Sequence, residues 1–217
     1  MIYDPYLEKL MSFYSSEFFA EEIEHARAMF FNKAGVMDEE SPDFEMKMMQ
    51  FVDWYCLTRP LNISAKRPIE ACFDEPKFSM SEEEKPYFVS LLNHRHSLFE
   101  FLKFSGKDLT IRDLFSQYKL TIKDSPITIG FEKNEIFEGR LIPYKDSFIF
   151  SRAFCFHPPQ AKKFILKEVK MARKLPAMEQ AETRESLILT LYRMRARFDQ
   201  YKHVDATRIY SNDSGIQ

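Results

Sequence analysis

Four residues carry the side chains most able to bind a metal or attack an electrophile: His94, His96, Cys155 and His157. In His94-x-His96, the period-two alternation of a strand would set both imidazoles on one side. The same pair also suits the frayed end of a helix meeting a first strand. A metal centre wants three or four ligands, each held by hydrogen bonds from behind. Glu100 and the Cys155-x-His157 pair are the nearest residues that could complete one. Cys155 and His157 would share a strand face, which suits a thiolate–imidazole nucleophile. However, Cys155 stands between Phe154 and Phe156 in an apolar run, the setting of an inert buried thiol. A structural role for these four residues is therefore favoured.

Other residues suit contact rather than catalysis. Arg140, in Glu-Gly-Arg-Leu-Ile-Pro, is either an inward arginine bound to a carboxylate or an exposed ligand for a partner's acid. Trp54 is either an exposed anchor or core, and its helical spacing with other aromatic residues favours core. Lys163, Lys167 and Lys170 give the stretch 160–174 the composition of a membrane-surface or nucleic-acid-binding helix, or of a solvated face over an apolar stripe. Arg112-Asp113 reads as a turn held by local charge. No phosphate-binding glycine loop, dinucleotide fingerprint, HExxH pair or nucleophile elbow is present, which weighs against the common enzyme classes.

The elements that must position these residues follow from pattern. Tyr6, Leu7, Leu10, Met11 and Tyr14 have helical spacing, Ser15-Ser16 breaks the run, and Phe19, Ile23, Ala26 and Phe30 continue it towards Gly35. Ser41-Pro42-Asp43 opens a helix that Pro60 closes. A short helix is expected within 64–73, limited by Pro68, and another after the capping box beginning at Ser81. From Ser97 to Pro158 short β-branched and aromatic runs alternate with polar residues between turn formers, the signature of consecutive antiparallel strands. A single helical turn is expected near 111–115. Beyond Pro158-Pro159 come the lysine-rich helix and a last helix over 183–203, with Leu187, Leu191, Met194, Phe198 and Tyr201 forming a seam of two heptads.

The totals set outer bounds. The chain has 217 residues, 22 Phe, 10 Tyr and only 5 Gly, which suits well-packed elements joined by short turns. Net charge is −2, too small for a global field. Its distribution is uneven: residues 1–60 hold five basic and twelve acidic residues, whereas 159–217 hold twelve basic and seven acidic. Either the two ends attract one another or one presents a basic face to a partner. Three widely spaced cysteines, Cys56, Cys72 and Cys155, suit reduced thiols in a reducing compartment. The first residues lack the basic and apolar regions of a signal peptide, and no apolar run reaches the ~20 residues of a membrane span.

A family likeness follows from the order of motifs. Phe51-x-x-Trp54, then Arg59-Pro60-Leu61, then Pro68-Ile69-Glu70-x-x-Phe73 precede Ser97-Leu-Phe-Glu-Phe-Leu102, Gly106 to Phe115 and Glu135 to Pro143. This order resembles uncharacterised bacterial proteins of the SEC-C-associated type, over roughly 51–158. The resemblance implies a helical part followed by a β module. Many such proteins end in a zinc-binding SEC-C tail, but residues 159–217 hold no Cys and one His, so no zinc role is implied here.

The sequence thus predicts an α+β fold: a helical part at 1–96, a small antiparallel sheet or barrel at 97–158, two C-terminal helices at 159–210 packing back, and a tail at 211–217. The expected function is that of a non-enzymatic, cytoplasmic protein-interaction or regulatory protein with a protein partner and no cofactor. A homodimer through the last helix is one version. One alternative is nucleic-acid binding through Lys163, Lys167 and Lys170. The other is an enzyme or metal site around His94, His96, Cys155 and His157.

Overall fold

Spacing of apolar residues at three and four positions builds helices at both ends of the chain, and alternation builds strands between them. The computed structural model describes residues 1–35, 44–127, 130–201 and 203–212. The expected helix start at Ser41-Pro42-Asp43 and most of the tail lie outside these residues. The helices are α1 Asp4–Tyr14, α2 Ala20–Ala34, α3 Phe44–Leu57, α4 Pro68–Ala71, α5 Lys85–Leu92, α6 Lys162–Ala172, α7 Ala177–Gln200 and α8 Ala206–Ile209. The strands are β1 Arg95–Ser105, β2 Asp108–Asp113, β3 Lys119–Ile122, β4 Ile136–Tyr144, β5 Ser147–Phe150 and β6 Cys155–Phe156. The fold class is α+β, with a six-stranded antiparallel sheet that curls as a half-barrel. Its order is β3-β2-β1-β4-β5, with β6 also pairing with β4.

The chain divides into two compact units. The first comprises residues 1–32, 36–95 and 140–153, and the second 33–35, 96–139 and 154–217. The strand-rich middle is shared between them, since β4 gives residues 136–139 to the second and 140–144 to the first.

In the first unit, α1 packs on α3 and both bury aromatic rings. Phe30 lies 5.2 Å from Trp54, Phe51 stacks on Tyr55 at 5.9 Å, and Phe78 meets Phe88 edge-on at 5.4 Å. Such pairs contribute about 0.5–1.5 kcal/mol each beyond their buried area. The Tyr55 hydroxyl donates to the Tyr14 carbonyl at 2.6 Å, satisfying a helix-end acceptor. Pro68 stands at the start of α4 rather than inside it, where its missing N–H costs nothing. The Ser81–Glu84 capping box forms as expected: the Ser81 N–H donates to Glu84, and the Glu84 N–H reaches Ser81 Oγ at 3.3 Å.

In the second unit, β1 and β2 form a hairpin through Gly106, whose φ of +61° suits a tight turn. β1 carries a bulge between Phe101 and Lys103. Residues 111–113 belong to strand β2, and the turn starts only at Leu114, so the helical turn expected near 111–115 does not form. Its place is taken by the Asp113 carboxylate, which accepts from Ser97 Oγ at 2.7 Å and from the Phe115 N–H at 2.9 Å. A side-chain acceptor two residues back turns the chain without a helix. α6, α7 and α8 bury Ile165, Val169, Ile188, Leu191, Ala206 and Ile209 with Leu98 and Ile136. The seam predicted on the last helix is this surface, and α7 starts six residues earlier than expected, directly after Pro176.

One buried ion pair dominates the polar interior of the first unit. Arg59 is 3% exposed and donates to Glu22, whose second oxygen accepts from the Asn62 N–H at 2.9 Å. Removing one partner leaves an uncompensated buried charge, a loss of about 3–5 kcal/mol. Glu22→Ala is therefore expected to lower the urea midpoint by that equivalent, followed through the fluorescence of Trp54. Glu22→Gln, which retains the acceptor, should lose less. Equal effects of the two variants would contradict a charge-based role.

Candidate functional site

The four candidate residues do not converge on one cleft. His94 belongs to the first unit and precedes β1, with Nδ1 2.8 Å from the Leu91 carbonyl and Nε2 3.4 Å from Arg140 Nη1. Arg140 is 1% exposed, and its Nε lies 3.6 Å from Asp53 Oδ2, within ion-pair distance but beyond hydrogen-bond distance. Of the two readings of Arg140, the inward one holds. It is not a surface ligand, because strand β4 aims it into the unit. Trp54, 6% exposed, is likewise core rather than a contact residue.

His96 lies in the second unit, buried between two carboxylates. Its Nε2 is 2.7 Å from Glu138 Oε1 on β4, and its Nδ1 is 2.6 Å from Glu185 Oε2 on α7. A neutral imidazole has one N–H, so two such contacts call for an additional proton within the trio. Cys155 is the cross-strand partner of Glu138. His96 and Cys155 thus meet around one acid that sequence reasoning did not single out.

Cys155 is buried, and its thiol is held well above the usual range by burial and then by Glu138. His157 Nδ1 lies 3.0 Å from the Tyr210 hydroxyl. Burial, and secondarily the Arg195 charge, pushes its imidazole down to about 3. A thiolate–imidazole nucleophile needs the opposite pair of shifts: an acidic thiol and a basic ring. In this geometry both groups stay neutral at pH 7. His157 and Tyr210 link the end of β6 to the end of α8. Among the described residues no group of three or more His, Cys, Asp or Glu side chains is placed to hold a metal ion.

The lysines Lys163, Lys167 and Lys170 are exposed on α6, while Ile165, Val169 and Ala172 face the core. Lys162 differs from them. It turns back to Glu100 Oε1 at 2.8 Å and to the Asn134 carbonyl at 3.1 Å.

Open grooves occur among the described residues of both units. The first, of about 440 Å³ in the first unit, runs beside α1 and α3. Met11, Met48, Met49, Leu7 and Val52 line its apolar floor, with Asp4, Glu8 and Arg152 around it. The second, of about 980 Å³ in the second unit, crosses β1, β2 and β3 and is bordered by Lys103, Arg112, Lys119 and Lys133. In sequence these residues look like ordinary stripe and strand positions. Only the fold shows that nothing among the described residues fills the space between them.

Together these features define an α+β protein with a half-barrel sheet, buried charge clusters and open grooves. No helix among the described residues is long and apolar enough to cross a membrane. The chain belongs to a family of unknown function, DUF7986, whose model matches residues 6–202. No curated protein and no solved structure matches it.

The His157 geometry fixes a pH dependence. In the unfolded chain the ring takes up a proton near pH 6.5, whereas in the fold it does so only near 3. Between these values the unfolded state binds more protons. The contribution is therefore complete above pH 6.5 and is lost as pH falls towards 3. Wild type is expected to lose about 2 kcal/mol more than His157→Gln between pH 7.5 and pH 5. Urea unfolding followed by circular dichroism would measure it, and parallel pH profiles would refute a neutral buried ring.

Proposed function

We propose that this is a non-enzymatic protein-interaction protein of the cytoplasm, whose docking surface is the methionine-lined groove of the first unit. The observation that carries this reading is the company of Met11, Met48 and Met49 with Leu7 and Val52 in an open groove beside two helices. Methionine is flexible and polarisable, and it recurs on surfaces that accept apolar partners. The occupant that fits is an amphipathic helix, presenting anchors at positions i, i+3, i+4 and i+7. Its polar face should be basic, because Glu8 borders the groove, Asp4 and Arg152 there being paired with each other, and residues 1–60 carry seven more acidic than basic side chains. The neutral, buried state of Cys155 and His157 supports a reading without catalysis.

A fluorescein-labelled helical peptide of leucine and lysine is expected to bind the purified protein at least tenfold more tightly than its leucine–glutamate counterpart. Met49→Glu and Val52→Glu should each weaken the lysine peptide about tenfold or more, an effect of at least about 1.4 kcal/mol. Anisotropy titration reads both. Equal affinity for the two peptides, or indifference to both substitutions, would overturn the proposal.

A further inference from the structure

We infer that the open face of β1, β2 and β3 in the second unit is a binding site for single-stranded nucleic acid. Register places the relevant side chains together. Glu100 pairs with Arg112 and Arg112 with Lys119, while Lys103 pairs with Thr110 and Thr110 with Thr121. Positions two apart on β2 share a face, so these two rows lie on one surface. The burial of β2 alternates accordingly, with Leu109, Ile111 and Asp113 turned inward.

The charge on this surface is unusual for a sheet. Arg112 and Lys119 stand directly opposite each other, and like charges in that position destabilise an antiparallel pair. Lys103 and Lys133 border the same groove. Two carboxylates lie near these cations, Asp108 in the groove lining and Glu100 buried beside Arg112. Asp108 already accepts from the Asp124 N–H at 3.1 Å. Glu100 is spoken for on both oxygens, by Lys162 at 2.8 Å and by Arg112 at 3.1 Å. Four cations, Lys103, Arg112, Lys119 and Lys133, thus border the groove beside two engaged acids, and the surplus is an attraction for a chain of negative charges. Strand spacing sets adjacent cations about 5 Å apart, the scale of a phosphate backbone rather than of one small anion.

The apolar content of the groove selects among polyanions. Half-buried Leu102 forms part of its wall, and Tyr118, 70% exposed, precedes Lys119 at the edge, whereas Phe101 and Phe104 pair with Ile111 and Leu109 on the inward side. A sulfated glycan or an acidic peptide would leave such surface unused. Unpaired bases would cover it, since base–aromatic contact adds affinity without regard to sequence. A duplex hides its bases and gains only the electrostatic part. This surface is distinct from the exposed lysine face of α6, none of whose lysines Lys163, Lys167 and Lys170 lines this groove.

The test uses the full chain with fluorescent 20-nucleotide oligo(U) and oligo(dT), a duplex of equal length and a polyglutamate peptide, all read by anisotropy. Single strands should bind best, and their affinity should fall about 20- to 50-fold from 50 to 200 mM salt, as expected for three or four phosphate contacts. Lys103→Glu with Lys119→Glu spares the Arg112–Glu100 pair and should weaken binding tenfold or more with an unchanged melting temperature. The combined change Lys163→Glu, Lys167→Glu and Lys170→Glu should have little effect. The inference is overturned if no single strand binds at 50 mM salt. It is equally overturned if duplex or polyglutamate binds as tightly as the single strands, if the α6 variant abolishes binding, or if the sheet variant leaves it intact.

Discussion

A carboxylate inside a sheet must be answered by proton donors, because an isolated buried charge would cost far more than a fold of this size can spare. Glu138 imposes that demand on the second unit. It is 2% exposed, in the middle of β4, and is met by His96 from β1. His96 in turn reaches Glu185 on α7, a helix otherwise held by the apolar seam around Leu191. Two strands and a long helix are thereby fixed by one imidazole. Apolar packing alone tolerates sliding by a turn, whereas a hydrogen-bonded charge does not.

The same principle recurs elsewhere and explains how further charged residues come to be buried. Glu22 and Arg59 bring α2 and the end of α3 together in the first unit, and Asp113 uses its carboxylate to turn the chain after β2. Burial lowers the access of titratable groups and disfavours their charged forms. Cys155, His157 and Tyr210 show the point, since burial moves each away from the state that would make it reactive. Features that remain open to solvent are of another kind: soft apolar surface beside α1 and α3, and cationic surface on β1 to β3.

Much of the architecture could be read from the chain, because it rests on local periodicity. The stripe from Tyr6 to Tyr14, the break at Ser15-Ser16, Gly35 with its φ of +103°, and the strand runs after Ser97 all follow from residues within a turn or two of one another. The polar clusters could not be read in the same way. His96 finds Glu185 across 89 positions, and nothing local to either residue signals the other. His94-x-His96 suggested a pair, yet the two rings enter different units because β1 starts between them. Arg140 carried a real signal, a charge in a largely apolar strand that also holds Glu138, but its direction depends on Asp53 far earlier in the chain.

The irregularity in β1 has a consequence for what the sheet shows to its surroundings. In an unbroken strand, positions 101 and 104 would point to opposite sides. The extra residue at Leu102 resets the phase, so Phe104 aligns with Leu109 beside Phe101, and Lys103 joins Thr110. One inserted residue thus decides which side is greasy and which is charged over the outer end of the hairpin. Were this same sequence paired without the bulge, Phe104 would turn to the solvent and an ammonium group would be driven in among the phenylalanines.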